Sequence, residues 1–329
     1  MLPGLSSIVS PTAIAGLSSL VLYNMLSADH DLTLWISSFC YPSWRLKNFF
    51  SGKVLWITGA SSGLGRALAI ELAQFGCKLV LSSRRVEELK KVKVECEING
   101  AEFEDVLVLP LDTLNTEDFP SAVKKVLDRF QKIDHLVLNA GRSQRALAED
   151  TDIAVDRAMM EVNFFSYIAH AKAVLPHMIE RKSGCVTVMS SLTGKMGAPV
   201  STAYSASKHA LMGYFSSLRR ELYSYGIDVL IVCPGPVRSN ISLHSFTENI
   251  DKEYSHEVQD KGRKMEAHRF AKLLSVAIAA RLPETWISIQ PYLLFTYLSQ
   301  YFPSIFNSAL VSFLSQGRIE KFKRNECLY

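Results

Sequence analysis

The chain has 329 residues, 48% of them apolar, enough for one large domain with a substantial core. Its 36 Lys and Arg against 32 Asp and Glu leave a net charge of +4 with both signs interspersed, and no basic stripe, zinc-ligand spacing or basic–aromatic block argues for nucleic acid. The six cysteines (Cys40, Cys77, Cys96, Cys185, Cys233 and Cys327) show no paired spacing; Cys77, Cys185 and Cys233 abut or lie within apolar runs and read as buried thiols, so no disulfide framework is indicated.

Residues 2–28 carry no charge, and Ile8 to Leu26 is mostly apolar. A membrane-spanning helix needs about 20 such residues. Ser, Gly and Pro11 dilute the stretch, so a retained membrane anchor, a cleaved signal peptide and a surface or core helix all remain open. Against cleavage, no Lys or Arg precedes the apolar run and Leu26 spoils the small-x-small pattern before Ala28.

Beyond a linker over 29–51, short apolar runs predict strands near 53–58, 78–82, 106–110, 134–138, 184–190, 227–233 and 286–290, separated by intervals long enough for crossover helices. The pattern is that of a Rossmann-like, doubly wound parallel α/β sheet of about seven strands flanked by helices. The first strand runs directly into Gly59-Ala60-Ser61-Ser62-Gly63-Leu64-Gly65 and then a helical stretch from Arg66. Glycines there let backbone approach a pyrophosphate, and the helix N-terminus offers free N–H groups and partial positive charge. Gly59, Ser61, Ser62, Gly63, Leu64 and Gly65 are therefore candidate dinucleotide contacts.

The second strand ends in Ser83-Arg84-Arg85, and no acidic residue appears before Glu87 to hold the ribose hydroxyls of NAD. Arginine at that place can pair with a 2′-phosphate. The cofactor preferred is NADP(H), with Arg84 or Arg85 as the contact; NAD(H) stays possible.

Further along, Ser191 precedes Tyr204-Ser205-Ala206-Ser207-Lys208. A tyrosine and a lysine four apart share a helix face. A phenol titrates near 10, and bringing it to neutrality takes about 4 kcal/mol, which one ammonium about 4 Å away can supply at an effective dielectric near 20. The spacing makes Tyr204 the acid/base, Lys208 its electrostatic helper and Ser191 a hydrogen-bonding partner for a substrate oxygen. On the predicted sheet Thr58, Asn139, Ser191 and Pro234 all fall at or just past strand C-termini, the edge where open α/β sheets bind ligands.

These motifs, in order, resemble the short-chain dehydrogenase/reductases over roughly Gly52 to Gln290. The resemblance implies an acidic residue near the adenine at Asp112, a cofactor-supporting element at Asn139-Ala140-Gly141, a fourth catalytic residue at Asn163, and a turn against the nicotinamide at Pro234, Gly235 and Val237. It also implies that Lys208 and Tyr204 contact the cofactor and that Asn163 fixes a water linking Lys208 to solvent. Leu138 departs from the family's paired asparagines, which puts one supporting side-chain hydrogen bond in doubt. Asp31-Leu32-Thr33-Leu34, Leu175 to Lys182, Cys233 to Val237 and Trp286-Ile287-Ser288 are similar to a membrane-bound branch of that family. That likeness implies the endoplasmic reticulum and NADPH-dependent reduction of lipophilic carbonyls such as steroids and retinoids.

Residues 239–265 are polar without strong period and read as a lid over the substrate or an ordinary surface excursion; within them Asn240-Ile241-Ser242 is a glycosylation acceptor pattern. Thr285 to Gly317 is again uncharged and rich in aromatics, interrupted by Pro291 and Pro303. It suits a membrane interface, the wall of an apolar pocket or a dimer contact. Lys321, Lys323 and Arg324 close the chain with positive charge.

The domain plan is thus an anchor over 1–28, a linker over 29–51, a catalytic unit over 52–290 and an aromatic extension over 291–329. The expected activity is NADP(H)-dependent carbonyl reduction or alcohol oxidation in a membrane-bound homodimer or homotetramer, without a metal. An NAD-dependent alcohol dehydrogenase and a catalytically idle cofactor-binding scaffold are the alternatives.

Overall fold

A computed structural model describes residues 11–251 and 263–313. Seven parallel strands form one sheet: β1 (Val54–Thr58), β2 (Lys78–Ser82), β3 (Val106–Val108), β4 (His135–Leu138), β5 (Gly184–Met189), β6 (Ile227–Pro234) and β7 (Glu284–Ile287), in the order β3-β2-β1-β4-β5-β6-β7. Between them run α4 (Gly63–Ala73), α5 (Val86–Ile98), α6 (Phe119–Phe130), α7 (Ile153–Met160), α8 (Ser166–Arg181), α9 (Thr202–Leu222) and α10 (Ala267–Ala279). Three helices precede the sheet, α1 (Pro11–Ser27), α2 (Leu32–Cys40) and α3 (Ser43–Phe50), and two follow it, α11 (Tyr292–Tyr301) and α12 (Pro303–Phe313).

Strand periodicity divides the core in two. Leu55 and Ile57 turn to the face covered by Leu68 and Leu72 of α4, Leu89 of α5 and Phe270 and Leu274 of α10. Val54 and Trp56 turn to the face covered by α6, α8 and α9, where Phe119, Val174, Leu211 and Phe215 are buried. All five residues of β1 are buried, as a central parallel strand requires. In α6 the buried Phe119, Ala122, Val123, Val126 and Phe130 recur at helical spacing, so a single stripe faces the sheet.

The predicted strands are present, with two shifts of boundary. β3 stops at Val108, two residues before Pro110, which has no N–H to continue a ladder. β7 lies earlier than 286–290, because Ile231 pairs with Glu284 and the Ser288 N–H turns away to the Asp29 carbonyl. Leu138, where an asparagine was the family expectation, is buried in the apolar core on the α6 side.

The stretch 29–51, expected as a linker, is folded onto the body. His30 bridges Ile287 in antiparallel fashion, and Leu34 and Phe50 are fully buried. Asp31 joins the two ends: one carboxylate oxygen caps α2 through the Thr33 and Leu34 N–H groups, and the other accepts from Thr285 Oγ1 at 2.6 Å and the Trp286 N–H at 2.7 Å. In α1, Leu17, Leu20, Leu22, Tyr23 and Leu26 are exposed. Among the described residues no helix is long and apolar enough to cross a membrane, and residues 1–10 of the anchor expected over 1–28 lie outside the described residues. Lys321, Lys323, Arg324, Cys327 and residues 252–262 of the expected lid lie outside the described residues.

Asp31→Ala leaves the Thr33, Leu34 and Trp286 N–H groups and the buried Thr285 hydroxyl without their acceptor. A loss of about 3 kcal/mol in unfolding free energy is expected from urea titration, with Asp31→Asn recovering part of it.

Candidate active site

The chain order of the sheet reverses between β1 and β4, and the candidate site opens there, along the strand C-termini. Thr58 at the end of β1 donates its hydroxyl to the Val137 carbonyl at 3.2 Å and accepts from the Asn139 N–H at 2.9 Å. Asn139 answers through Nδ2, which donates to the Thr58 carbonyl at 2.9 Å. This cross-brace sets the glycine turn against the loop after β4. Gly59 has φ +65°, and a Cβ there would lie 2.9 Å from Ala140 Cα; a Cβ on Gly65 would lie 2.5 Å from the Gly59 carbonyl oxygen. Side chains are thus excluded where the turn closes, and the head of α4 points its N–H groups into the cleft.

A single cleft of about 1180 Å³ runs from Arg84, Arg85 and Asp112, past Ser61, Ser62, Gly63 and Leu64, to Ser191, Tyr204 and Lys208. Asn139, Pro234, Gly235 and Val237 line it as well. Asp112 accepts from the Leu114 N–H at 3.0 Å, which turns the chain at that end. Of the two arginines, Arg85 is the one braced on the glycine turn: its Nη2 donates to Ser61 Oγ at 3.0 Å and to Ser62 Oγ at 2.6 Å. N–H groups at a helix head, two guanidiniums and a turn without Cβ atoms fit the phosphates of a dinucleotide.

At the other end, the Ser191 hydroxyl accepts from the Thr193 N–H at 3.1 Å and lies beside the Tyr204 phenol in the cleft wall. Burial pushes the phenol above its ordinary value, opposed by the neighbouring Ser191 hydroxyl and by the Arg145 guanidinium. Lys208 Nζ donates to the Met189 carbonyl at 2.9 Å and lies 5.6 Å from the centre of the Tyr204 ring. Burial depresses its amine to about 7. Ser191 and Arg145 act on the phenol, and desolvation acts on both the phenol and the Lys208 amine. A phenol and a hydroxyl side by side can both donate to one substrate oxygen, and an amine near neutrality takes up and releases protons readily.

Asn163 is fully buried in a π-helical turn, Glu161–Phe165, between α7 and α8. Such widened turns recur at functional sites. Its Oδ1 accepts from the Arg142 N–H at 2.9 Å while Nδ2 donates to the Arg142 carbonyl at 2.9 Å and to Ser207 Oγ at 3.2 Å. The side chain clamps the loop after β4 to α9 at the turn preceding Lys208.

The remaining wall is apolar. Tyr292 and Phe295 of α11 and Phe306 and Leu310 of α12 face the cleft together with Leu192, Met196 and Phe246. The aromatic extension is thus a pocket wall in part, and Tyr301, Phe302 and Ile305 on its outer side are exposed. Ser245, Phe246 and Thr247 are buried, so part of the polar stretch 239–265 is docked, with Arg142 stacked 3.8 Å from the Phe246 ring. Sequence reasoning placed Thr58 at the binding edge without a role, and overlooked Gln144, Arg145 and Ser207 as site residues; none of these three carries a local signal.

Residues 53–250 match the family model described as short chain dehydrogenase. The chain is 44% identical over 306 residues to the human protein named dehydrogenase/reductase SDR family member 7, covering 92% of this chain and 88% of that one. It is 34% identical to the Drosophila melanogaster protein named dehydrogenase/reductase SDR family protein 7-like, covering 81% and 82%. Among solved structures, a short-chain dehydrogenase from Streptomyces avermitilis superposes with a TM-score of 0.65 at 28% identity, covering 79% of this chain and 97% of that one. A metagenomic short-chain oxidoreductase in complex with NADP superposes with a TM-score of 0.57 at 27% identity, covering 70% and 91%.

Two outcomes test the geometry. Gly65→Ala forces the turn open, and dinucleotide affinity measured by fluorescence titration is expected to fall at least tenfold, about 1.4 kcal/mol. Because folding lowers the Lys208 amine from 10.5 to about 7, the unfolded chain binds more protons between those values. Ligand-free stability should therefore rise from pH 7 to pH 10 relative to Lys208→Met, by a few kcal/mol at most.

Proposed function

The chain belongs to the short-chain dehydrogenase/reductase family and is an NAD(P)-dependent oxidoreductase, and on that premise we propose that it reduces lipophilic carbonyl compounds with NADPH at a membrane surface. The observation that carries the reading is the single cleft, which has guanidiniums at one end, the Ser191–Tyr204 pair at the other, and an apolar wall of Tyr292, Phe295, Phe306 and Leu310 beyond that pair.

When bound, the reduced nicotinamide dinucleotide supplies hydride. Arg85, braced on Ser61 and Ser62, and its neighbour Arg84 meet the 2′-phosphate, and the absence of a carboxylate before Glu87 removes the partner that NAD would require. Ser191 and Tyr204 both donate to the substrate's carbonyl oxygen, and Tyr204 gives its phenolic proton as negative charge develops there. Lys208, whose amine sits near neutrality, returns that proton and offers its N–H donors to the ribose side of the cleft. Asn163 holds the Gly141-Arg142 backbone so that this end of the cleft keeps its shape. The steroids and retinoids suggested by the sequence suit the apolar wall.

The membrane reading rests on the two uncharged ends. Leu17, Leu20, Leu22 and Tyr23 of α1 are exposed, as are Tyr301, Phe302 and Ile305, and α1 packs against α11. Helices carrying exposed aliphatic and aromatic side chains suit an interfacial position, and we assign the protein to the endoplasmic reticulum membrane on the resemblance noted in the sequence. Phe165 and Tyr223, exposed beside α8 and α9, suit a contact between copies in a homodimer or homotetramer.

Tyr204→Phe removes the proton donor without disturbing the wall or the glycine turn. It is expected to lower turnover of a panel of steroid, retinoid and aromatic carbonyls by roughly 10³-fold while NADPH affinity holds within about twofold. Retained turnover would discard the mechanism. Arg85→Asp should weaken NADPH binding by tenfold or more and leave NADH nearly unchanged; equal effects on both would discard the phosphate assignment.

A further inference from the structure

Gln144 lies in the loop after β4, sixty residues from Tyr204 in sequence, and its side chain is fully buried. Its Oε1 accepts from the Ala203 N–H at 2.9 Å and the Tyr204 N–H at 3.3 Å. Only the oxygen of an amide can meet two N–H donors, so the orientation of the group follows from its partners. The first turn of any helix has N–H groups without intrahelical acceptors, and an N-cap side chain ordinarily takes them. Ser201, the N-cap of α9, makes no such bond; its hydroxyl donates instead to the Gln144 carbonyl at 3.2 Å. The cap of the helix that carries Tyr204 therefore comes from another part of the chain.

The same segment grips the docked part of the polar stretch. Gln144 bridges Phe246 in parallel fashion, with the Phe246 N–H on the Ser143 carbonyl and the Arg145 N–H on the Phe246 carbonyl, both at 2.8 Å. The Ala146 N–H meets the Val200 carbonyl at 3.1 Å, just before α9 begins. Arg145, whose guanidinium acts on the phenol, donates through Nη1 to Ser201 Oγ at 3.0 Å. One four-residue strip thus touches the lid residue Phe246, the start of α9 and the surroundings of the phenol.

We propose that Gln144 is a positioning residue for Tyr204: its side-chain carbonyl caps α9 from outside the helix and ties the placement of the phenol to the docking of Phe246. The proposal rests on Tyr204 being the proton donor of the proposed function. A cap that slips lets the first turn of α9 fray, and the phenol, carried on that turn, leaves the oxygen it must protonate. Displacements of about 1 Å cost up to about 100-fold in rate.

The test compares Gln144→Ala, Gln144→Asn and Gln144→Glu with wild type in detergent-solubilised full-length protein, using NADPH and phenanthrenequinone as the carbonyl probe. Gln144→Asn is one methylene short of the two N–H groups, whereas Gln144→Glu keeps an acceptor in reach. We expect the first two to lower kcat by about 30-fold with NADPH affinity within twofold. Gln144→Glu should recover kcat to within about threefold of wild type. Amide exchange of Ala203 and Tyr204, read by mass spectrometry, should quicken at least tenfold in the Ala and Asn variants and not in the Glu variant.

Unchanged kcat per folded molecule in Gln144→Asn, or loss in Gln144→Glu as deep as in Gln144→Ala, overturns the proposal, as does unchanged amide exchange. Should Gln144→Ala fail to fold, the Asn and Glu pair decides. Tyr204→Phe run beside them separates the two readings: if it retains turnover, the assignment of Tyr204 is what fails. The exchange measurement still decides the capping if the probe is not reduced at all.

Discussion

The site depends on how β1 and β4 are fastened at their C-terminal ends. Two parallel strands end side by side there because the chain order reverses between them, and the crevice that results has no helix to fill it. Left to backbone alone, the two following loops would be free to part. Thr58 and Asn139 prevent this with reciprocal bonds between side chain and main chain, and the glycines then permit an approach that no Cβ could survive. The cleft walls, the direction of α4 and the start of the strip from Ser143 to Ala146 all follow from that fastening.

Within the cleft the dominant electrostatic fact is desolvation. It drives the Tyr204 phenol up and the Lys208 amine down, so two groups that titrate close together in water are pushed apart, the amine toward neutrality. Simple Coulomb reasoning from the Tyr-x-x-x-Lys spacing assumes a charged lysine facing a phenolate. The buried amine spends a donor on the Met189 carbonyl and lies 5.6 Å from the centre of the tyrosine ring. Arg145, whose charge is far harder to lose, takes over part of the influence on the phenol.

Much of the architecture was legible because it is written in local patterns. Apolar runs of strand length separated by helical intervals predict the parallel sheet; the glycine turn and Ser191 directly follow strand ends, and Tyr204 and Lys208 share one helix face four residues apart. Three kinds of feature were not legible. The fold of 29–51 depends on Asp31 reaching Thr285 and Trp286 across the whole chain. The start of β7 depends on which residue of β6 it pairs with, which apolar content alone does not specify. Gln144 has nothing in its own neighbourhood to mark it, because its role is a contact between loops. The two arginines after β2 show the intermediate case: the sequence marks both, and only the bonds to Ser61 and Ser62 distinguish Arg85.

The two uncharged ends are best understood together. A chain of this size has polar residues enough to cover its surface, yet α1, α11 and α12 carry almost none of its charge. Half of that apolar surface has an internal use, since Tyr292, Phe295, Phe306 and Leu310 close the cleft and Leu293 and Tyr297 pack beneath. The other half, on the same short helices, is exposed. On the proposed membrane reading, helices that are apolar on the outer side and wall a pocket on the inner side would set the pocket's mouth where a lipid-dissolved molecule arrives. A carbonyl compound poorly soluble in water would then exchange one apolar surrounding for another, and the cost of entering water would drop out of its encounter with Tyr204.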